Sequence, residues 1–131
     1  MAIYASLNRG DSVFIDDGND SKVIIRNLAA IPGGVTLDMT NWTPDTVRAG
    51  HIIKRNTDTG VYSPLGITGS SNDTYASLEG NEEYAGVLVT SVLKSKPFAP
   101  VMTIGEVNAA ASPYPVTSTI KSGLPRIEFL Y

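Results

Sequence analysis

The segment from Arg48 to Leu65 constrains the fold more than any other part of the chain. Arg48-Ala49-Gly50-His51-Ile52-Ile53-Lys54-Arg55 and Val61-Tyr62-Ser63-Pro64-Leu65 are short runs rich in β-branched and aromatic residues. Between them lies Asn56-Thr57-Asp58-Thr59-Gly60, polar and ending in glycine. Two such runs around such a connection mark a β-hairpin with a loop longer than two residues. The later strands are expected to pack onto this hairpin.

Strand-like runs recur on both sides of it. Ser12-Val13-Phe14-Ile15 and Lys22-Val23-Ile24-Ile25-Arg26 flank the turn formers Asp16-Asp17-Gly18-Asn19-Asp20-Ser21, which reads as another hairpin. Leu28 to Ile31 runs into the turn Pro32-Gly33-Gly34, and Val35-Thr36-Leu37-Asp38-Met39 alternates apolar and polar residues as a half-buried strand does. Gly66 to Gly80 is rich in glycine, serine and asparagine, long for an internal connection, and expected to be a contact loop. Ala85-Gly86-Val87-Leu88-Val89-Thr90 reads as a buried strand, and a further strand follows from Phe98 to Val107. Pro100 must sit at the start or edge of a strand, since it has no N–H to donate. Val116 to Ser122 suits a short helix, with Gly123 placed to end it and Pro125 just beyond. Arg126 to Tyr131 alternates again and closes the chain as a strand. The expectation is an all-β fold with one short C-terminal helix.

At 131 residues the chain suits one domain and needs no disulfide or metal to build a core. Charge divides it unevenly. Residues 1–46 hold six Asp against three Lys or Arg, and residues 47–131 balance seven acids with seven bases. The first part is therefore expected to be an N-terminal hairpin or arm that docks to a partner, and 47–131 the main β-domain. The net charge of −3, without a basic run, argues against a nucleic-acid grip, which depends on clustered cations. With no cysteine, thiolate catalysis, disulfides and Cys-ligated zinc are excluded. Residues 1–9 lack the basic and apolar segments of a secretory signal, and no apolar run approaches a membrane span, so the chain is expected to be soluble as made.

Few residues suggest chemistry. His51 is the one histidine and falls in a strand, without a nearby carboxylate or nucleophile motif to make it an acid or base, so a structural or surface role is expected. Glu82 and Glu83 are adjacent and point to opposite faces if extended, which is not a catalytic pair. Asp16, Asp17, Asn19 and Asp20 offer the hard oxygens calcium prefers, but their spacing is not that of an EF-hand loop, and turn formation is the commoner role. No catalytic, cofactor-binding or metal-binding residue is assigned. Trp42, Tyr62, Tyr75 and Tyr84 are the candidate contact surface, because exposed rings stack on sugars; for Trp42, the one tryptophan, a cap over the core is the competing role.

The order of these motifs resembles that of phage head fiber and head decoration proteins. Ala49-Gly50-His51-Ile52 matches an "Ala-Gly-x-hydrophobic" strand and Gly60-Val61-Tyr62-Ser63-Pro64 a "Gly-x-Tyr-x-Pro" hairpin. Gly86-Val87-Leu88, Gly105-Glu106-Val107 and Ile120-Lys121-Ser122-Gly123-Leu124 follow in the family's order. The match covers 47–131, extends loosely over 28–46 and hardly touches 1–27. The resemblance implies a small β-barrel or tulip-like sandwich that binds the major capsid protein on the outer surface of the shell, often as a trimer, with no catalytic residues. A virion location, outside the capsid, follows from it. The alternative is a carbohydrate-binding module or adhesin, and a head fiber that touches host surface glycans would join the two.

Overall fold

The computed structural model describes residues 18–131. Its elements in chain order are α1 (Asp20–Val23), β1 (Ile24–Ala30), β2 (Val35–Thr36), β3 (Thr46–Val47), β4 (Ile52–Asn56), β5 (Tyr62–Pro64), β6 (Ile67–Thr68), β7 (Thr74–Tyr75), β8 (Glu82–Leu88), β9 (Val92–Leu93), β10 (Phe98–Ala99) and β11 (Val101–Asn108). A 3-10 turn (Ala109–Ala111), α2 (Ser118–Gly123) and β12 (Ile127–Leu130) complete the chain. Strands make up 41% of the structure, the fold is all-β with a short helix near its C-terminus, and the sheets do not close into a barrel. Of the two expected forms, the sandwich is the one observed.

The principal sheet runs β1-β11-β8-β4-β5, with β12 also paired to β11. The hairpin β4–β5 forms one end of it, with β5 as the edge strand, in the register Ile53↔Pro64 and Arg55↔Tyr62. β8 and β12 divide one edge of β11 between them. β8 takes Val101 and Met102 antiparallel, and β12 takes Gly105 to Asn108 parallel. Gly86 explains how β8 comes so close to β11, because a Cβ there would overlap the Met102 carbonyl oxygen. No side chain larger than hydrogen fits.

Where β4, β8 and β11 meet, both faces of this sheet are buried, which accounts for the doublets Ile52-Ile53, Val87-Leu88 and Val101-Met102. Successive residues of a strand point to opposite faces, so each doublet supplies one residue to each core. Ile52, Val87 and Met102 join Leu65, Tyr75, Ile120, Leu124 and Ile127 on one face. Ile53, Leu88 and Val101 join Leu37, Met39, Trp42, Val47 and Val92 on the other. Small two-stranded pairs, β2–β10 and β3–β9, cover the second face.

From Asp20 onward, the N-terminal third is part of this same body. β1 pairs along β11 from Ile24↔Val107 to Ala30↔Met102, and Val23 lies in the first core. The Asp20 carboxylate accepts from the Ser91 backbone N–H at 2.8 Å and from its hydroxyl at 2.7 Å, tying α1 to the turn before β9. Residues 1–17, with the expected strand at 12–15, lie outside the described residues.

Several expectations change in detail. The strand expected at Ala85–Thr90 is β8, shifted to Glu82–Leu88, and the one expected from Phe98 to Val107 is interrupted at Pro100. The strand expected at Lys22–Arg26 begins only at Ile24 and continues to Ala30, since Lys22 and Val23 form the short α1. Val35–Met39 is not one continuous ladder. Only Val35 and Thr36 pair with β10; Leu37 N–H then donates to the Pro97 carbonyl and Asp38 N–H to that of Tyr62. Those two residues therefore bridge separate sheets, yet Leu37 and Met39 still face the core as the alternation requires. The loop Gly66–Gly80 carries the small hairpin β6–β7, with Ile67 opposite Tyr75. Its tip is exposed, but Tyr75 anchors its return strand in the core.

α2 spans 118–123, two residues later at its start than the expected 116. Thr117 accepts from the Ile120 N–H through its hydroxyl, the usual N-terminal cap. Gly123 is the last helical residue and has no left-handed backbone. The reason for glycine is packing: a Cβ there would overlap the ring of Tyr84.

Candidate functional site

Two places gather polar or aromatic groups. The first is a ring cluster where the two cores meet. The turn Ala49-Gly50 delivers His51 just before β4, and its side chain is 1% exposed. Trp42, Tyr75 and Tyr114 meet its ring edge-on, with centroids at 4.9, 5.1 and 5.6 Å. Tyr75 and Tyr114 also touch, at 5.3 Å. The Nε2–H of His51 donates to the Leu65 carbonyl at 2.8 Å, and because a carbonyl only accepts, this nitrogen carries the proton. Burial pushes the imidazole down to a pKa of about 4, against a smaller upward pull from the Leu65 hydrogen bond. At neutral pH the ring is uncharged and packs as an aromatic. Its surroundings are those of a core histidine, the structural of the two expected roles.

Tyr114 was missed in the sequence. Its signal was present in Pro113-Tyr114-Pro115, where two prolines stiffen the segment that holds the ring in place.

The four expected contact aromatics do not form one stacking platform. Trp42 is 7% exposed, and its Nε1–H donates to the Thr46 carbonyl at 3.0 Å. Tyr75 is 9% exposed, with its hydroxyl accepting from the Ile52 N–H at 3.3 Å; burial raises its pKa far above the usual tyrosine value. Tyr62 is half-buried against the same core as Trp42, whereas Tyr84 packs with Tyr75 on the opposite face. Tyr75 and Tyr84 do line a common cleft of about 420 Å³ with Ser77, Leu78 and Thr119. The central sheet separates the two pairs, which no linear pattern of aromatics could reveal.

The second place is a groove of about 550 Å³ at the β5 edge. The loop 38–42 crosses that edge, held by Asp38 N–H to the Tyr62 carbonyl at 2.8 Å. The Asp38 carboxylate in turn collects the Thr40 N–H at 3.1 Å and the Thr40 hydroxyl at 2.5 Å. Asn41 and Trp42 of that loop line the groove together with Lys54, Ser63 and Glu82 of the strands. Lys54 Nζ sits 2.6 Å from Glu82 Oε2, with the two side chains 22% and 12% exposed. Burial alone would raise the Glu82 pKa. The Lys54 hydrogen bond, the Glu79 N–H on Oε1 and the Lys54 charge together bring it below the ordinary value. Glu83 pairs separately with Arg55 at 3.0 Å, so the adjacent glutamates serve different partners.

Among the described residues, no group of three or more His, Asp or Glu is placed to hold a metal ion. Asp16 and Asp17 of the candidate calcium turn lie outside them, and Asp20 is engaged with Ser91. No helix among the described residues is long and apolar enough to cross a membrane. The class defined by fold and surface is an all-β sandwich with a polar groove at one sheet edge. In comparison with known proteins, no family model, no curated protein and no solved structure matches the chain.

Proposed function

We propose that the chain is a structural virion protein that binds the major capsid protein on the outer surface of a phage head, as a head fiber or decoration protein. The observation that carries this reading is where the resembling motifs fall. Ala49-Gly50 leads into β4, Tyr62 to Pro64 is β5, Gly86-Val87-Leu88 ends β8, and Gly105-Glu106-Val107 lies in β11. The motifs that carry the resemblance in order are thus consecutive strands of one sheet, with Ile120 to Leu124 forming α2 and its end. A family likeness scattered over unrelated loops would carry far less weight.

The β1 edge adds a physical route. One side of β1 pairs with β11, and among the described residues no strand pairs with the other. Ile25 and Leu28 on this strand are 44% and 61% exposed. A long, partly apolar edge is a template for strand addition by a neighbouring chain, which suits docking to a capsid subunit or trimer formation. A trimer that engages several equivalent shell sites at once would add modest contacts together.

The test is co-sedimentation of the purified chain with capsids of its phage, together with mass spectrometry of purified virions. The reading expects the chain in virions and in the capsid pellet. Its absence from both refutes it. A truncation that probes the N-terminal arm belongs after residue 17, because a cut at 27 also removes Asp20, Val23 and half of β1. Loss of capsid binding on deleting 1–17 is expected if the arm docks, and unchanged binding rejects the arm as the attachment.

A further inference from the structure

We infer that the groove at the β5 edge is a binding site for a neutral saccharide. The inference does not rest on the capsid reading, and either stands if the other fails.

Size comes first. The groove's volume of about 550 Å³ lies within the range of small-molecule sites, roughly 300–1,000 Å³. Its walls are held by contacts already in place. The loop on one side is fixed by Asp38 to β5 and to Thr40, and the β-strand side by the Lys54–Glu82 pair.

The polar groups then select the ligand. Lys54 has three N–H donors and gives one to Glu82, so donors remain for a ligand. The Asn56 side-chain oxygen is already taken by the N–H groups of Asp58 and Thr59, which leaves its amide to donate. Glu82 accepts from Lys54 and from Glu79, with lone pairs to spare, and Ser63 both donates and accepts. Donors and acceptors side by side match sugar hydroxyls, each of which does both. Val61, Pro64 and what little of Trp42 is exposed add apolar lining for the C–H groups of a sugar ring.

Other ligand chemistries fit less well. Asp38 and Glu82 against Lys54 leave the lining at −1, which repels phosphates and carboxylates. An apolar ligand would strip water from the Lys54–Glu82 pair and return no hydrogen bond.

The one tryptophan of the chain lies in this wall, so its fluorescence reports occupancy directly. The intact chain is titrated with glucose, galactose, mannose and N-acetylglucosamine, beside glucuronate and choline as charged probes. A saturable emission change with at least one neutral sugar is expected. Asn41→Ala and Ser63→Ala each remove one polar partner and are expected to weaken that binding about 3- to 10-fold, the worth of one hydrogen bond. Asn41 is exposed on its loop, so its variant keeps the fold even if the strand substitution does not. Three outcomes overturn the inference: no saturable change with any neutral sugar, tighter response to glucuronate or choline, or sugar affinity unchanged in the folded variants.

Discussion

Acidification below neutrality should destabilise this protein through His51 in particular. In the unfolded chain the imidazole titrates near 6.5, whereas in the folded core burial holds it at about 4. The folded state therefore binds fewer protons between these values, and its stability is full above the unfolded pKa and lost progressively as pH falls to the folded one. The difference of about 2.5 pH units corresponds to about 3 kcal/mol at the acid limit, of which about 2 kcal/mol is gone by pH 5. That is a large fraction of the ~5–15 kcal/mol that holds an ordinary domain together. Urea unfolding between pH 7.5 and 4, followed by Trp42 fluorescence, measures it, since the Trp42 and His51 rings are in contact. His51→Gln retains an N–H donor for the Leu65 carbonyl but does not titrate. It should start less stable at pH 7.5 because it loses three ring contacts, and then show a shallower decline. Carboxylates, Glu82 included, titrate in both proteins and cancel in the comparison. Parallel stability curves for the two proteins from pH 7 to 5 would refute the assignment.

Two other substitutions probe the sheet and the groove. Gly86→Ala forces a methyl group into the Met102 carbonyl where β8 meets β11, and should cost more than about 3 kcal/mol in chemical unfolding. A fully stable variant would show that the two strands sit further apart. Lys54→Met removes the hydrogen bond and charge that outweigh burial at Glu82, so the Glu82 pKa should move upward in a carboxyl-detected NMR titration. An unmoved Glu82 would mean that the pair does not form in solution.

The separation between what could be read and what could not follows the range of the interactions. Strand positions were legible because turn chemistry and β-branched runs act over a few residues. Asn56 shows this, its side chain bonding to the N–H groups of Asp58 and Thr59 inside the predicted loop. That His51 is not an acid or base was also readable, from the company it keeps in the chain, but its burial was not. By contrast, Gly123 was read as a helix terminator, and its requirement turned out to be the Tyr84 ring, distant in sequence and adjacent in space.

The sequence by itself determined the all-β class, the β4–β5 hairpin, the C-terminal helix and the closing strand, because each depends on local conformational preference and on alternation along a single element. Tertiary structure alone decided which face each aromatic ring occupies. Tyr75 and Tyr84 lie on one side of the sheet, Trp42 and Tyr62 on the other, and the ladder between β4 and β8 sets that division. It also decided that the groove exists, by bringing Asp38, Asn41 and Trp42 from one segment against Lys54 and Glu82 from two strands. Contacts between residues far apart in the chain leave no period or spacing to read. They form only once burial of both sheet faces has chosen the register.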